Sequence, residues 1–476
     1  MIELVKSFVF LSNSIFLGFS LSYVLLPNFS PYDDKRVIQL VLIACSLIWI
    51  LLGGLKQHRY LSDWSISLKA CIYALLSFAF LSSLLAESPR HAFLEFSLFI
   101  GLFYLSVLIS SSWHEQSNKL LLLLISSITL GAVLYMIGFY TGYLASFLEA
   151  IPLEWPEPFF MFSNVRAFNQ YQLWTLGLLC LPLLVSVGLE NNHKRWFFAS
   201  LSAWWVLLFA SGSRGVLAAW LLSMLATFWV YRRFARSFLV LQIKCCAIGF
   251  ASYLLLFVWL PKFNQGGGSV ITTTVLRAET SDRLGLWRLA GAMIEAHPWL
   301  GVGPMHYAWY PNPLAAHPHN SLIQLACEFG LPATGLIVFI FGYGIYRWWQ
   351  RFNVTTLSAL PERDGQLAIV LFFTVVAEAI YSLVDGVIVM PLSQVMMAVM
   401  LGLMMGLYQQ NQVTLPVSPV LDLSHRLLAG VTLVVLVWAV LPELIPRILG
   451  DYDQIPLGHH YQIMAPRFWQ EGGIPH

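Results

Sequence analysis

A histidine, several arginines and a handful of acids in this 476-residue chain stand in or beside long apolar runs, where a charged or titratable side chain needs a reason. His319 lies in the segment His317-Pro318-His319-Asn320. A neutral imidazole is the side chain best suited to take a proton from a hydroxyl near neutral pH. Arg214 lies in Ser211-Gly212-Ser213-Arg214-Gly215, Arg283 in Arg283-x-x-x-Trp287, and Arg166 in the polar cluster Asn164 to Gln172. A guanidinium offers a planar two-donor fork that grips phosphate oxygens without a metal ion, although any one of these arginines alone reads equally as an anchor snorkelling to the membrane surface. Gln170 and Gln172 can bind hydroxyl-rich ligands or cap a helix end, and Asn320 can orient His319 or cap the helix after it. Asp385 is the best placed of three acids in or bordering apolar runs, the others being Glu328 and Glu378. His297, His306 and His317 sit among prolines and aromatics and read as ordinary loop packing. No paired carboxylates carry a metal-ligand pattern and the six cysteines show no C-x-x-C spacing, so no metal, cofactor or disulfide framework is expected.

The elements that must position these residues are membrane spans. With 58% hydrophobic and 11% charged residues, the chain has too little polar surface to cover a water-soluble globule of its size. Apolar runs of about 18 to 25 residues recur, long enough to cross roughly 30 Å of hydrocarbon as helices. They are apolar all round, which excludes the alternating pattern of a membrane barrel. The reading is an all-α polytopic membrane protein of about twelve or thirteen transmembrane helices, near 8–27, 37–54, 67–86, 93–111, 120–140, 171–189, 196–211, 215–231, 243–260, 321–346, 366–384, 391–408 and 427–445. Lys56/Arg59, Lys194/Arg195, Arg232/Arg233/Arg236 and Arg347/Arg351/Arg363 then fall on one side, which the positive-inside rule makes cytoplasmic. His319, Arg214, Arg283 and Arg166 fall on the other. The first span reads as uncleaved. A net charge of +2 implies no nucleic-acid partner, and the basic loops answer to topology and anionic lipid headgroups.

Four regions follow: N-terminal spans over 1–260, an outward loop over 261–320, C-terminal spans over 321–445 and an outward tail over 446–476. The loop, about 60 residues, is long enough to be functional. After Gly266-Gly267-Gly268-Ser269, the sequence Thr280-Ser281-Asp282 opens a helix to about Ala296, ended by His297-Pro298. Arg283 and Trp287 share a face of it. Arg288 sits about 140° round, so only one of the two arginines can point at a site with that tryptophan.

The sequence resembles the O-antigen ligase and polymerase superfamily of bacterial membrane glycosyltransferases. His319-Asn320, nine residues, then Gly330 is similar to that family's pattern at the start of a span. The Ser211–Gly215 turn and Arg283-x-x-x-Trp287 followed by His297-Pro298-Trp299-Leu300-Gly301-Val302-Gly303 resemble its other motifs, in its order and on its periplasmic side. Within the superfamily, the Asn164–Gln172 cluster and Ala465-Pro466-Arg467-Phe468-Trp469 look most like the pilin-glycosylating protein O-oligosaccharyltransferases. The chain departs from their longer members in having only about 30 residues after Pro446.

The resemblance implies a GT-C-like fold in the bacterial inner membrane with an active site facing the periplasm. It implies transfer of a glycan from a polyprenyl-diphosphate lipid to a hydroxyl of an acceptor protein such as a type IV pilin, or to lipid A core or a growing repeat-unit polymer. His319 would then serve as general base, and Arg214, Arg283 and Arg166 would hold the diphosphate. Gln170, Gln172, Asn320, Asp385 and Arg288 complete the expected substrate-binding set. A transporter of lipid-linked glycan would carry matching broken spans in two halves and charges at the midplane; neither is seen in the sequence.

Overall fold

The computed structural model describes residues 1–19, 26, 29–57, 65–153, 159–185, 191–269, 283–310, 315–410, 418–451, 466–472 and 474. Among these residues the chain is helical and forms no strand. In order, the helices are α1 (Ile2–Phe19), α2 (Pro31–Leu51), α3 (Ile66–Leu84), α4 (Pro89–Leu148), α5 (Val165–Leu178), α6 (Leu181–Leu184), α7 (Asn191–Ser211) and α8 (Arg214–Tyr231). There follow α9 (Arg236–Tyr253), α10 (Arg283–Ala296), α11 (Ser321–Arg351), α12 (Val354–Leu357), α13 (Glu362–Tyr381), α14 (Pro391–Gln409) and α15 (Pro419–Leu449).

The protein is an all-α polytopic membrane protein. Nine stretches among the described residues are long and apolar enough to cross a membrane, one of them, Arg214–Phe263, holding both α8 and α9. The expected spans map onto the helices with shifted ends. Those read at 93–111 and 120–140 are two halves of α4, broken where Gln116 leaves helical geometry (φ −142°, ψ 46°). The span read at 171–189 begins earlier, at Val165, and is interrupted between Leu178 and Leu181. The first starts near the N-terminus and is described from Ile2 to Phe19, and α15 extends beyond 427–445 on both sides. Helix α2 begins at Pro31, earlier than expected, because Ser30 caps it and Asp33, Asp34, Lys35 and Arg36 are buried within it. Interior partners let that charged turn continue an apolar helix.

Aromatic packing fixes the helix that carries Arg166. Phe168 on α5 is fully buried, stacked on Tyr135 of α4 at 5.1 Å between ring centres and edge-on to Trp204 of α7 at 5.4 Å. Successive helices run up and down, so the starts of α5, α8, α11 and α14 and the ends of α7 and α13 gather at one end of the bundle. At the opposite end Arg347 donates to Tyr408, Arg351 to the Gln410 carbonyl and Arg363 to Asn118.

The helix expected from about 280 to Ala296 is α10. Its expected cap, Thr280-Ser281-Asp282, lies outside the described residues, as do Pro311, Pro313 and Ala465. Leu286, Ala290 and Met293 form its buried face, which joins Val302, Tyr307, Ala315 and Cys327 in a small core of its own. This core seats the amphipathic helix on the end of the bundle. Two glycines make the seat possible. Gly330 (φ 83°) breaks α11, and a Cβ there would stand 2.3 Å from the Trp299 carbonyl oxygen. Gly301 (φ 68°) would push a Cβ to 2.4 Å from the Glu328 backbone. With both small, the Val302 and Gly303 amides donate to the Cys327 and Glu328 carbonyls at 2.8 and 3.0 Å.

Candidate functional site

The site grows from the first turn of α11. Asn320 is its N-cap: its side-chain oxygen accepts from the Ile323 amide at 3.0 Å, and its amide group donates to the Leu383 carbonyl at 2.9 Å. The Ser321 amide donates to the Ser382 carbonyl at 2.8 Å. Asn320 thus works as a cap and as a clasp on the 382–384 turn. That clasp brings the residue before it, His319, against the residue after the turn, Asp385.

His319 Nδ1 stands 3.5 Å from Asp385 Oδ1, within ion-contact range but without a hydrogen bond in this arrangement. His319 adopts a left-handed backbone, φ 51°, uncommon for a residue with a side chain and frequent at functional sites. Its side chain is 16% exposed, so the ring is reachable from outside, whereas Asp385 is buried. Asp385 is fully engaged: Oδ2 accepts from the Tyr381 hydroxyl at 2.6 Å and Oδ1 from the Gly386 amide at 2.7 Å. Burial acts to raise its carboxyl. The His319 contact, the Arg166 charge and the Tyr381 hydroxyl outweigh it and hold the group well below the usual carboxylate range.

Arginines border this pair. Arg283, at the start of α10, is half-buried, and its Nε has no hydrogen-bond partner. Burial first, then the like charge of Arg166, lowers its pKa; Asp385 opposes them, and Arg214 adds a further like charge. The three arginines therefore face one region with one buried carboxylate among them. Positive charge exceeds negative there, as suits an incoming anion. Arg214 is exposed at the first turn of α8, whose N-cap Ser213 accepts from the Val216 amide. The neighbouring Gly215 lies so close to Tyr381 that a Cβ would meet its ring at 3.0 Å. This contact places the Ser211–Gly215 turn beside the Tyr381–Asp385 bond.

Helix α10 is tied to the histidine segment by Trp287, whose Nε1 donates to the Pro318 carbonyl at 3.0 Å. Arg283 and Trp287 share the inner face as their spacing requires, while Arg288 is exposed on another. Arg288 is thus apart from the group that the structure brings together. Gln170 and Gln172 are fully buried on α5. Gln172 donates to the Trp204 carbonyl at 2.7 Å, a helix-to-helix bond, and both polar atoms of Gln170 lack a partner. Asn169, just before them, donates to Ser211 at 2.8 Å and so joins the Asn164–Gln172 cluster to the Arg214 turn.

Sequence reasoning missed several neighbours. His317, read as loop packing, is buried with its ring centre 4.2 Å from that of His319. Glu328 forms no contact with the arginines of this site. It and Glu95 of α4 pair instead with Arg467, which donates to Glu95 at 2.6 Å and to Glu328 at 2.8 and 2.9 Å. Arg36 donates to the Val389, Phe468 and Arg467 carbonyls at 2.8, 2.9 and 3.2 Å. The C-terminal segment read as a tail is, from Pro466 to Trp469, buried in the bundle. Its signal was the arginine flanked by proline and aromatics, together with an excess of buried acids needing a cation. His297 is exposed, and His306 is buried, accepting from the Ser88 amide at 2.9 Å and donating to the Pro304 carbonyl at 2.8 Å.

Residues 197–340 match the protein family described as O-antigen ligase. No curated protein matches the chain. The matched stretch holds Arg214, Arg283, Arg288, His319 and Asn320, while Arg166, Gln170, Gln172 and Asp385 lie outside it. The match supports the O-antigen ligase and polymerase superfamily and, with the apolar helices, a multi-pass membrane enzyme of glycosyl transfer acting between a lipid-linked glycan and an acceptor.

Proposed function

We propose that this protein transfers a glycan from a polyprenyl-diphosphate lipid to a hydroxyl of an acceptor protein, a pilin-like Ser or Thr, on the periplasmic face of the inner membrane. The observation that carries the reading is the His319–Asp385 contact set beside Arg283, Arg166 and Arg214. With Nδ1 facing a buried carboxylate, the imidazole is oriented with its proton on Nδ1 and Nε2 free to accept another, the logic of a histidine–aspartate pair. The acceptor oxygen attacks the anomeric carbon and its proton passes to Nε2. The anomeric C–O bond to the diphosphate breaks and the leaving group carries off the electron pair. Guanidinium groups meet the charge that gathers there: one Arg–phosphate pair at about 4 Å contributes about 4 kcal/mol at an effective dielectric of about 20, before desolvation.

Arg283, with its unpartnered Nε, and Arg166 are the donors best supported for this role; Gln170, with both amide atoms free, suits sugar hydroxyls. No step requires a cofactor. A second reading has one observation in its favour: the matched family is described as O-antigen ligase, whose acceptor would be lipid A core in place of protein. The two share donor and base.

Co-expression with a lipid-linked glycan pathway separates them, with mass spectrometry of pilin and of lipid A core as the readout. Glycan on pilin is the expected result, and glycan on lipid A core alone overturns the acceptor assignment. In the same cells His319→Ala is expected to accumulate normally and lose transfer roughly 10²–10⁴-fold. Retention of more than about a tenth of the rate removes His319 as base.

A further inference from the structure

The segment Pro466–Trp469 follows every described helix, yet it lies inside the bundle and reaches the site. The Pro466 carbonyl is 3.3 Å from His317 Nδ1. A carbonyl can only accept, so this bond puts the His317 proton on Nδ1 and leaves Nε2 bare. Nε2 has no partner and is pressed against Gly386, where a Cβ would stand 2.3 Å away. The His317 ring therefore fills the space between the segment, the Asp385-Gly386 backbone and the edge of the His319 ring, 4.2 Å off between centres. The groups with charge or titration around it are His319, Arg467 and Asp385.

The segment is itself firmly anchored. Arg467 is buried between Glu95 and Glu328. Tyr32 and Arg36 bond its carbonyls, Trp469 donates to Glu443 at 2.7 Å, and the Gln470 amide donates to Asp33 at 2.8 Å. Such a set of bonds is more than a surface tail needs, and the segment meets the site through the His317 bond.

We propose that Pro466–Trp469 is a built-in part of the active site, a strap whose Pro466 carbonyl fixes His317 as a positioning residue that holds the His319 ring in register with Asp385. This deepens the reading of His319 as base and rests on it. His317 itself exchanges no proton in the reaction. Burial keeps its imidazole well below the ordinary pKa and hence neutral.

The test compares His317→Leu with His317→Asn in membrane vesicles carrying lipid-linked glycan and purified acceptor. Leucine fills the space without a donor; asparagine places an N–H where Nδ1 was. Leucine is expected to lower kcat at least tenfold with the KM for donor lipid within about twofold of wild type. Asparagine is expected to recover most of that loss and to keep the wild-type pH–rate profile. Equal loss in both variants, wild-type rates in the leucine variant, or an altered profile in the asparagine variant each overturns the strap. Should the leucine variant fail to accumulate, ¹⁵N shifts of histidine-labelled wild-type protein decide, with a protonated Nδ1 and bare Nε2 expected at His317 and the opposite tautomer refuting the bond. If His319→Ala stays active, the base assignment falls while the tautomer still reports on the strap.

Discussion

Replacing Asp385 by asparagine removes one charge and little volume. Its oxygen can still accept from the Gly386 amide, and its amide group can donate to the Tyr381 hydroxyl, so the 382–386 turn keeps its bonds. What disappears is the attraction between the carboxylate and the imidazolium that forms when His319 takes a proton. At the observed 3.5 Å and an effective dielectric of about 20, that attraction is about 5 kcal/mol. His319 is partly open to solvent, which screens the interaction, and about 3–4 kcal/mol is the usable part. Each 1.36 kcal/mol is tenfold, so Asp385→Asn is expected to slow transfer roughly 10²–10³-fold with membrane abundance unchanged. Initial rates of glycan transfer in vesicles, normalised to protein by quantitative blotting, measure it. A rate within about threefold of wild type would refute the argument, because a carboxylate at this distance from a developing imidazolium cannot be that silent.

Arg283→Lys and Arg214→Lys keep the charge and lose the fork, and each is expected to cut transfer about tenfold to a thousandfold in the same assay; wild-type rates in both would make them anchors. Gly330→Ala forces a side chain onto a left-handed backbone and into the Trp299 carbonyl, and should lower the Tm and the membrane yield of the protein. His306 supplies a pH dependence of stability. Burial, as the leading cause, lowers its pKa to about 4, and protonation would cost the bond it accepts from Ser88. Since the unfolded chain binds this proton near pH 6.5 and the folded one only near 4, stability falls as pH drops through that window, by about 3 kcal/mol in all. Melting curves of wild type and His306→Gln, taken from pH 7 to 4, should converge at the acid end; parallel curves would count against it.

The spans and their order were legible in the sequence because lipid imposes a length and a composition on every crossing, and those survive in linear text. So was α10, from its terminating His297-Pro298 and the Arg283–Trp287 spacing. Exact ends were not legible where buried partners override local polarity, as at Asp33 to Arg36. Nor was the strap, since Arg467 pairs with Glu95 and Glu328 from 372 and 139 positions away. His317 looked like filler for the same reason: its partner, Pro466, lies 149 residues on. Arg288 and Arg283 illustrate the opposite case, where a helical step of about 100° was enough to separate an inward arginine from an outward one.

Arg467 also has a meaning for the order in which the protein is made. Glu95 belongs to the fourth helix and Glu328 to the eleventh, so both are inserted into the bilayer well before the cation that neutralises them is synthesised. Until then two acids share one corner with no cation between them, an arrangement that is costly to bury. Docking of the C-terminal segment brings Arg467 between them. A nascent or C-terminally clipped chain would therefore carry every arginine and both histidines of the site in an unfinished setting, completed only once Pro466–Trp469 is in place.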